Sequence, residues 1–343
     1  MSLHEEIFEQ PQVLSTMFTD QRSKLQQLAG KIGKPRHIFI AARGSSDNAA
    51  RYAKYVWGAF NQIPVTLATP SLFSLYQQPP DLSDMLVIGI SQSGESPDLS
   101  AVLEGGNAQG CQTLAITNQS SSPLARAADE VIDIGAGQEK SIAATKSYTG
   151  QLGVIACLSA AWNGDDEQWS QLENLPRVIE KSLETETVLQ RYAELFQEVE
   201  HCIVLGRGFN YSTAYEWSLK LTELAYVFAQ PYSSADFQHG PIAVVRDGFP
   251  VFAVAPHGKV FPDLAGLLSR LKSEHRARVL AISNDHNLLD LVDAPVSLDP
   301  QLPEWLSPLA AVIPAQLFSY YLTVAKGYDP DHPRGLTKVT KTY

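Results

Sequence analysis

Leu86-Val87-Ile88-Gly89-Ile90-Ser91-Gln92-Ser93-Gly94-Glu95-Ser96-Pro97 is the stretch that decides the fold. Apolar residues interrupted only by Gly89 run directly into hydroxyls, a carboxamide and a glycine, and the pattern predicts a helix from Pro97. A short, continuously apolar run of this kind reads as a strand covered on both faces, as in a parallel sheet. A loop between such a strand and a helix start aims backbone N–H groups and short donors at one point. That point lies at the positive end of the helix dipole and suits a dianion such as a phosphate monoester. The loop has no Lys or Arg, so neutral donors would do the binding. The same composition also fits an ordinary strand-to-helix turn.

Outward from this stretch, the chain repeats itself. HIFIAARGSS from His37 resembles HCIVLGRGFN from His201, with Arg43-Gly44 and Arg207-Gly208 separated by 207 − 43 = 164 residues. Val87 to Ile90 matches Val251 to Val254 at the same offset, and Leu114-Ala115-Ile116-Thr117-Asn118 matches Leu280-Ala281-Ile282-Ser283-Asn284 at 280 − 114 = 166. Each copy reads as strand, glycine turn, helix, strand, loop, helix, strand. Helical stretches are expected at Asp47 to Gly58, Pro97 to Gln109, Tyr211 to Phe228 and Pro262 to Glu274. Strands alternating with helices predict an α/β chain of two doubly wound parallel sheets in tandem. Ligands of such sheets sit at the carboxyl ends of the strands, where strand order switches. Both Gly44-Ser45-Ser46 and Ser91–Ser96 stand at strand carboxyl ends.

The expected organisation is a helical segment over 1–34, a first domain over 35–165, a linker helix within 166–199, a second domain over 200–327 and a tail over 328–343. The linker passes through the polar Trp162–Asp166 stretch into one helix from about Leu175 to Glu198, and a last apolar helix spans about Leu309 to Lys326. The tail, with two prolines and no helical period, reads by itself as a disordered end.

At 343 residues with 44% hydrophobic content, the chain has material for two full cores. Its net charge of −11 argues against non-specific nucleic-acid binding and against attraction to anionic membranes. Cys111, Cys157 and Cys202 lie far apart in apolar runs, which reads as buried free thiols with no disulfide framework and no zinc spacing. The acidic start MSLHEEIFEQP does not read as a signal peptide, and no run was expected to approach the ~18 apolar residues of a membrane span. A cytoplasmic location is the expectation.

The second copy lacks the hydroxyl loop. Ala255-Pro256-His257-Gly258-Lys259 stands there instead, and proline removes a donor. It has its own cluster: Glu216, Lys220 and Glu223 share one helix face. The spacing alone favours a solvated face with an ion pair over a catalytic carboxylate beside a lysine. Glu223 nevertheless has Leu221, Leu224, Ala225 and Tyr226 as neighbours, and a carboxylate drawn into apolar surroundings gains basicity. In Asp236-Phe237-Gln238-His239-Gly240-Pro241, a rigid bend presents an imidazole that titrates near neutrality. Loop histidines are also commonly structural. Ser141-Ile142-Ala143-Ala144-Thr145-Lys146-Ser147, ahead of a helix near Tyr148, fits either an anion or hydroxyl contact or a plain cap by Thr145 or Ser147.

Taken together, EIFEQP, ARGSS, ISQSGES, SIAATKSY, LGRGFNYSTAYEWSLKLTELAY, FQHGP and PRGLTK resemble the sugar isomerase (SIS) domain family in its tandem form. They lie in order over nearly the whole chain. The nearest likeness is to the isomerase half of glutamine–fructose-6-phosphate aminotransferases and to stand-alone relatives, above all glucosamine-6-phosphate deaminases of the second type. Other stand-alone relatives are aldose–ketose isomerases and deglycases of phosphorylated fructosamines. The resemblance implies flavodoxin-like three-layer αβα domains and a phosphate held by Ser46, Ser91, Gln92, Ser93 and Ser96. It implies further substrate contacts at Gly44, Ser45, Ile142 and Ala144.

By the same resemblance Glu223 is the base that moves a proton between C1 and C2, and Lys220 stabilises charge near the enolamine. His239 opens the sugar ring and arrives from the partner subunit of a homodimer with shared active sites. Lys338 closes over the sugar, which makes the tail an ordered lid. Neither a metal nor an organic cofactor is implied. Ala144 and Ser45 stand where the aminotransferases have serine and threonine, Asp236 where they have glutamate, and the chain ends in KTY instead of an acidic end. No stretch resembles the amidotransferase half with its leading cysteine, so the expected chemistry runs on free ammonia. The expected reaction is glucosamine 6-phosphate plus water to fructose 6-phosphate plus ammonia. The alternatives are a phosphosugar isomerase, a deglycase, or a non-catalytic sugar-phosphate sensor.

Overall fold

The computed structural model describes residues 2–338. Residues 339–343, the end of the expected tail, lie outside the described residues. The chain forms two compact units, each interrupted in sequence. The first comprises Gln12–Lys140, Ala144–Asn174 and the chain from Thr337. The second comprises the chain up to Pro11, Ser141–Ala143 and Leu175–Leu336.

The first unit is built on a five-stranded sheet: β1 (His37–Ala42), β2 (Val65–Leu67), β3 (Met85–Ser91), β4 (Gln112–Thr117) and β5 (Glu130–Asp133), in the order β2-β1-β3-β4-β5. The second has β6 (His201–Gly206), β7 (Phe228–Ser233), β8 (Pro250–Val254), β9 (Arg278–Ser283) and β10 (Ala294–Ser297), in the order β7-β6-β8-β9-β10. Every pairing is parallel. The two orders are the same order, so the internal repeat is a repeat of topology, and the tandem α/β expectation holds. Strand order switches between β1 and β3 and between β6 and β8. Ala42 pairs with Ile90 in register, so the Arg43–Ser46 turn and the Ser91–Ser96 loop leave neighbouring strands side by side.

The sequence pattern predicts three strands per copy, and the structure has five. The central strands β1, β3, β4, β6, β8 and β9 are buried along all but their first residue. The additional strands β2, β5, β7 and β10 are shorter or half-exposed, and Pro231 and Pro295 lie within β7 and β10. Edge strands tolerate proline and polar residues because one side of the ladder is unpaired. They therefore carry no apolar run to read.

Helix ends differ from expectation in two places. The single linker helix over 175–198 is two helices, Asp166–Leu183 and Glu186–Leu195. At the break, the Thr185 hydroxyl donates to the Ser182 carbonyl at 2.6 Å. The helix expected to reach Phe228 spans Tyr211–Ala225. Tyr226 terminates it in the left-handed region (φ 53°), which frees Phe228 to open β7.

The expectation that no segment is apolar and long enough for a membrane span is corrected. Glu304–Ala325 satisfies that length and hydropathy. It is a core element: the Ser307–Ala325 helix packs on the Tyr211–Ala225 and Glu186–Leu195 helices. Within it, Gln10 Nε2 donates to Gln316 Oε1 at 2.8 Å. Lys146–Asn163 is the corresponding helix of the first unit, buried from Lys146 to Ala160. The three cysteines are buried thiols, and burial raises the pKa of each.

Trp217 belongs to the core of the second unit. It is fully buried, stacked on Phe252 at 5.3 Å between centroids and edge-on to Phe318 at 5.9 Å. Removing a buried indole costs about 3–5 kcal/mol through lost transfer energy and the cavity left behind. Trp217→Ala is therefore expected to move the urea unfolding midpoint sharply downward. An unchanged midpoint would contradict this packing.

Candidate active site

The Ser91–Ser96 loop is a rigid strap. The Asn118 N–H donates to the Gln92 carbonyl at 3.1 Å and the Leu124 N–H to the Gly94 carbonyl at 3.1 Å. Ser91 Oγ accepts the Gly94 N–H at 3.0 Å, and Ser93 Oγ accepts the Glu95 N–H at 3.4 Å. Two loop amides are thus taken up internally, and each serine keeps its own O–H to donate. The Gly94 and Glu95 amides are therefore not left for a ligand, a refinement of the sequence reading. Ser96 is the N-cap of the Pro97–Ala108 helix, yet its side chain does not cap it. Gly94 has φ 64°, and a Cβ there would overlap the Ser122 side chain. Only glycine lets the strap close this way.

Ser46 lies in the first turn of the Ser45–Asn61 helix, which follows Gly44 at φ 54°. Gln151 Nε2 donates to Ser46 Oγ at 3.0 Å. A hydroxyl that accepts a hydrogen bond from behind turns its own proton forward, toward an anion. Arg43, in the same turn, was not singled out by sequence. Its Nε and Nη2 grip Asp98 Oδ2 at 3.0 and 2.8 Å, and Asp98 is fully buried in the first turn of the Pro97–Ala108 helix. The second copy repeats the grip: Arg207 Nη1 reaches Asp263 Oδ2 at 2.5 Å in the first turn of the Phe261–Ser273 helix.

Ala144 belongs to the first unit and Ile142 to the second. Near Ile142, the Ser141 N–H faces the buried Glu6 carboxylate at 3.3 Å. Lys338 lies in the first unit, where its Nζ meets Glu139 Oε2 at 2.8 Å.

In the second copy, the loop after β8 is filled from within. The His257 N–H donates to Asn284 Oδ1 at 2.7 Å and the Lys259 N–H to Glu304 Oε2 at 3.0 Å. A carboxylate of the chain itself sits where the first copy presents serine hydroxyls.

Lys220 and Glu216 are buried, so the solvated-face reading of the Glu216, Lys220 and Glu223 cluster is overturned. Lys220 Nζ stands 2.7 Å from Glu223 Oε2 and 3.5 Å from Glu216 Oε1, and only Glu223 keeps a quarter of its side chain exposed. The apolar neighbours Leu221, Leu224 and Ala225 are buried in the core, so Glu223 faces an ammonium instead of an apolar wall. In the first copy the residues 164 positions earlier are Tyr52, Val56 and Ala59. At the first two of these places the second copy buries Glu216 and Lys220 where the first buries Tyr52 and Val56, an exchange that rarely gains stability. His239 is exposed at the end of the short Ser234–Gln238 helix, its N–H bonded to the Asp236 carbonyl at 3.1 Å, and Gly240 at φ 128° turns the chain into Pro241. Glu223, Lys220 and His239 belong to the second unit, and the serine strap, Ser46, Ala144 and Lys338 to the first.

The SIS domain profile matches residues 31–161 and again 195–326. The chain belongs to the SIS domain family. It is 34% identical over 342 residues to the glutamine–fructose-6-phosphate aminotransferase [isomerizing] of Pyrococcus horikoshii, covering 97% of this chain and 56% of that protein. It thus spans little more than half the length of such relatives. The solved C-terminal domain of glucosamine-fructose-6-phosphate aminotransferase from Francisella tularensis superposes with a TM-score of 0.85. It is 28% identical, with 96% of this chain and 98% of that one covered. Glucosamine-6-phosphate deaminase from Thermotoga maritima shares the fold, with a TM-score of 0.80 at 23% identity and all of both chains covered.

Within this SIS pair, sequence reasoning missed Arg43 with Asp98, Gln151, Glu139 and Glu304. The repeated Arg-Gly after β1 and β6 was a visible signal for the first. The others act from distant sequence and left none. Gly94→Ala is expected to weaken inorganic phosphate binding, read by calorimetry, by about 10-fold or more, since forcing a Cβ into this backbone costs about 1–3 kcal/mol. Unchanged affinity would exclude the strap as the anion site. Asp263 has its pKa held down chiefly by the Ser234 hydroxyl and, against the opposing effect of burial, by Arg207. Its contribution is present above the ordinary value of 3.8 and lost as pH falls through the lower folded value. The stability gap between wild type and Asp263→Asn should therefore shrink on acidification below about pH 4 in urea unfolding. A gap constant to pH 2 would refute this.

Proposed function

We propose that this SIS protein catalyses the deaminating isomerisation of an amino-sugar phosphate, with glucosamine 6-phosphate and water giving fructose 6-phosphate and ammonia. The observation that carries the proposal is the asymmetry of the duplication. One copy keeps a hydroxyl strap at its switch point. The other fills its strap with Glu304 and instead buries Lys220 between two carboxylates. A sensor of sugar phosphates needs the strap but has no use for a buried lysine beside a glutamate that keeps a quarter of its side chain exposed. Similarity to aminotransferases named as isomerizing supports the same reading.

In this reading Ser46, Ser91, Gln92, Ser93 and Ser96 hold the phosphate, with contacts from Gly44, Ser45, Ile142 and Ala144 to the rest of the sugar. His239, exposed on its bend, opens the pyranose ring in the site of a second copy of the chain. Glu223 removes the C2 proton of the open-chain aldehyde, giving an enolamine, and returns the proton to C1. Lys220 offsets the charge that develops. Water adds to the resulting ketimine, and ammonia leaves as the C2 carbonyl forms. A positioned base contributes ~10²–10⁴-fold, and the remainder comes from fixing the open chain by its phosphate.

Glu223→Gln is expected to abolish ammonia release from glucosamine 6-phosphate while leaving its binding largely intact. Ser93→Ala should mainly raise KM. Near-normal turnover by Glu223→Gln would sink the proposal. Isomerisation of a phosphosugar without ammonia release would replace it with the isomerase alternative.

A further inference from the structure

Lys338 is gripped by a side chain that carries no role in the chemistry above. Glu139 follows β5 in the first unit, and its side chain has no exposed surface. Oε1 accepts the N–H groups of Thr145 at 3.0 Å and Ser147 at 3.1 Å. Oε2 accepts from Ser147 Oγ at 2.8 Å and from Lys338 Nζ at 2.8 Å. One buried carboxylate therefore caps the start of the Lys146–Asn163 helix and takes the ammonium from the tail.

The cap alone does not call for an acid. Backbone N–H groups at a helix start are satisfied by a neutral oxygen, as serine, threonine and asparagine caps demonstrate. A full charge without surface is unfavourable unless a counter-charge meets it. Lys338 is that counter-charge. Burial raises the Glu139 pKa, but Lys338 and the N–H groups of Thr145 and Ser147 outweigh burial and leave it lowered. The group is thus held as an anion. The residues it joins are informative: Thr145 adjoins Ala144, and Lys338 ends the described tail. Ala144 contacts the sugar in the proposed function, and Lys338 is the residue that the family resemblance has close over it.

We propose that Glu139 is the positioning residue for Lys338, fixing the tail ammonium against the Ala144–Ser147 turn so that lysine and turn address the substrate as one body. This rests on the reading of Lys338 as a substrate-facing group. Glu139 does not touch the sugar, so its loss should lower kcat more than it raises KM.

The test is a double-mutant cycle on the full chain, with ammonia release from glucosamine 6-phosphate and the Tm both measured for wild type, Glu139→Gln, Lys338→Met and the double variant. The glutamine keeps an acceptor for the cap and removes only the charge. Glu139→Gln is expected to lower kcat on the order of 100-fold with little change in KM. It should have no further effect in the Lys338→Met background. Multiplicative effects, or a kcat for Glu139→Gln within about two-fold of wild type, would overturn the proposal. Full activity of Lys338→Met, or no turnover by wild type, instead sinks the reading of the site. In that event the Tm cycle still judges Glu139, because a non-additive pair supports the grip and an additive pair refutes it. If Glu139→Gln does not fold, Glu139→Asp replaces it in the same cycle, since it keeps the charge but withdraws it by one methylene.

Discussion

Asp98 places a carboxylate without exposed surface in the first turn of the helix that leaves β3, and Arg43, at the end of β1, reaches across the switch point to hold it. The two strands that diverge there are thereby tied at their carboxyl ends. Two loops hang from that tie: the Gly44–Ser46 turn on one side and the serine strap on the other. The helix dipole favours an acid in the first turn, and the guanidinium fork supplies two donors to one oxygen. Breaking the pair from the arginine side would leave a buried charge uncompensated, the costly direction of failure for such a bridge. Arg207 and Asp263 make the same tie at the second switch point. The duplication has preserved the tie and changed what surrounds it.

What changed is the chemistry each copy carries around the tie. In the first copy two amides of the strap after β3 donate to Ser91 Oγ and Ser93 Oγ. In the second copy the Glu304 carboxylate bonds the loop from inside. Conversely, the helix after β1 buries Tyr52 and Val56, whereas the helix after β6 buries Glu216 and Lys220 at the corresponding places. A buried ion cluster is seldom the most stable filling for such a space. Its presence in one copy alone is the observation on which the proposed proton transfer by that copy rests.

The fold was legible to the extent that burial is legible. The six central strands are apolar along nearly their whole length because helices cover both faces of the sheet, and with the Arg-Gly turns they reveal the repeat. The edge strands were silent because β2, β5, β7 and β10 need satisfy only part of their surface, so threonine, proline and glutamine serve there. The break at Glu184-Thr185 was equally silent, since both segments are helical by composition. Of the candidate site, the serine strap and the Glu216, Lys220, Glu223 face were legible from spacing. Whether that face was wet or dry was not, because periodicity places residues on a side without saying what lies against it.

By itself the sequence determined the duplication, the parallel α/β class and the presence of one hydroxyl strap after β3, since each depends on residues close together along the chain. Only the tertiary structure decided that Lys220 is buried, that Gln151 turns the Ser46 hydroxyl, and that Glu139 grips Lys338 across 199 residues of sequence. These facts depend on which charges share a low-dielectric space. That is a property of distance in three dimensions, and the order of residues does not encode it locally.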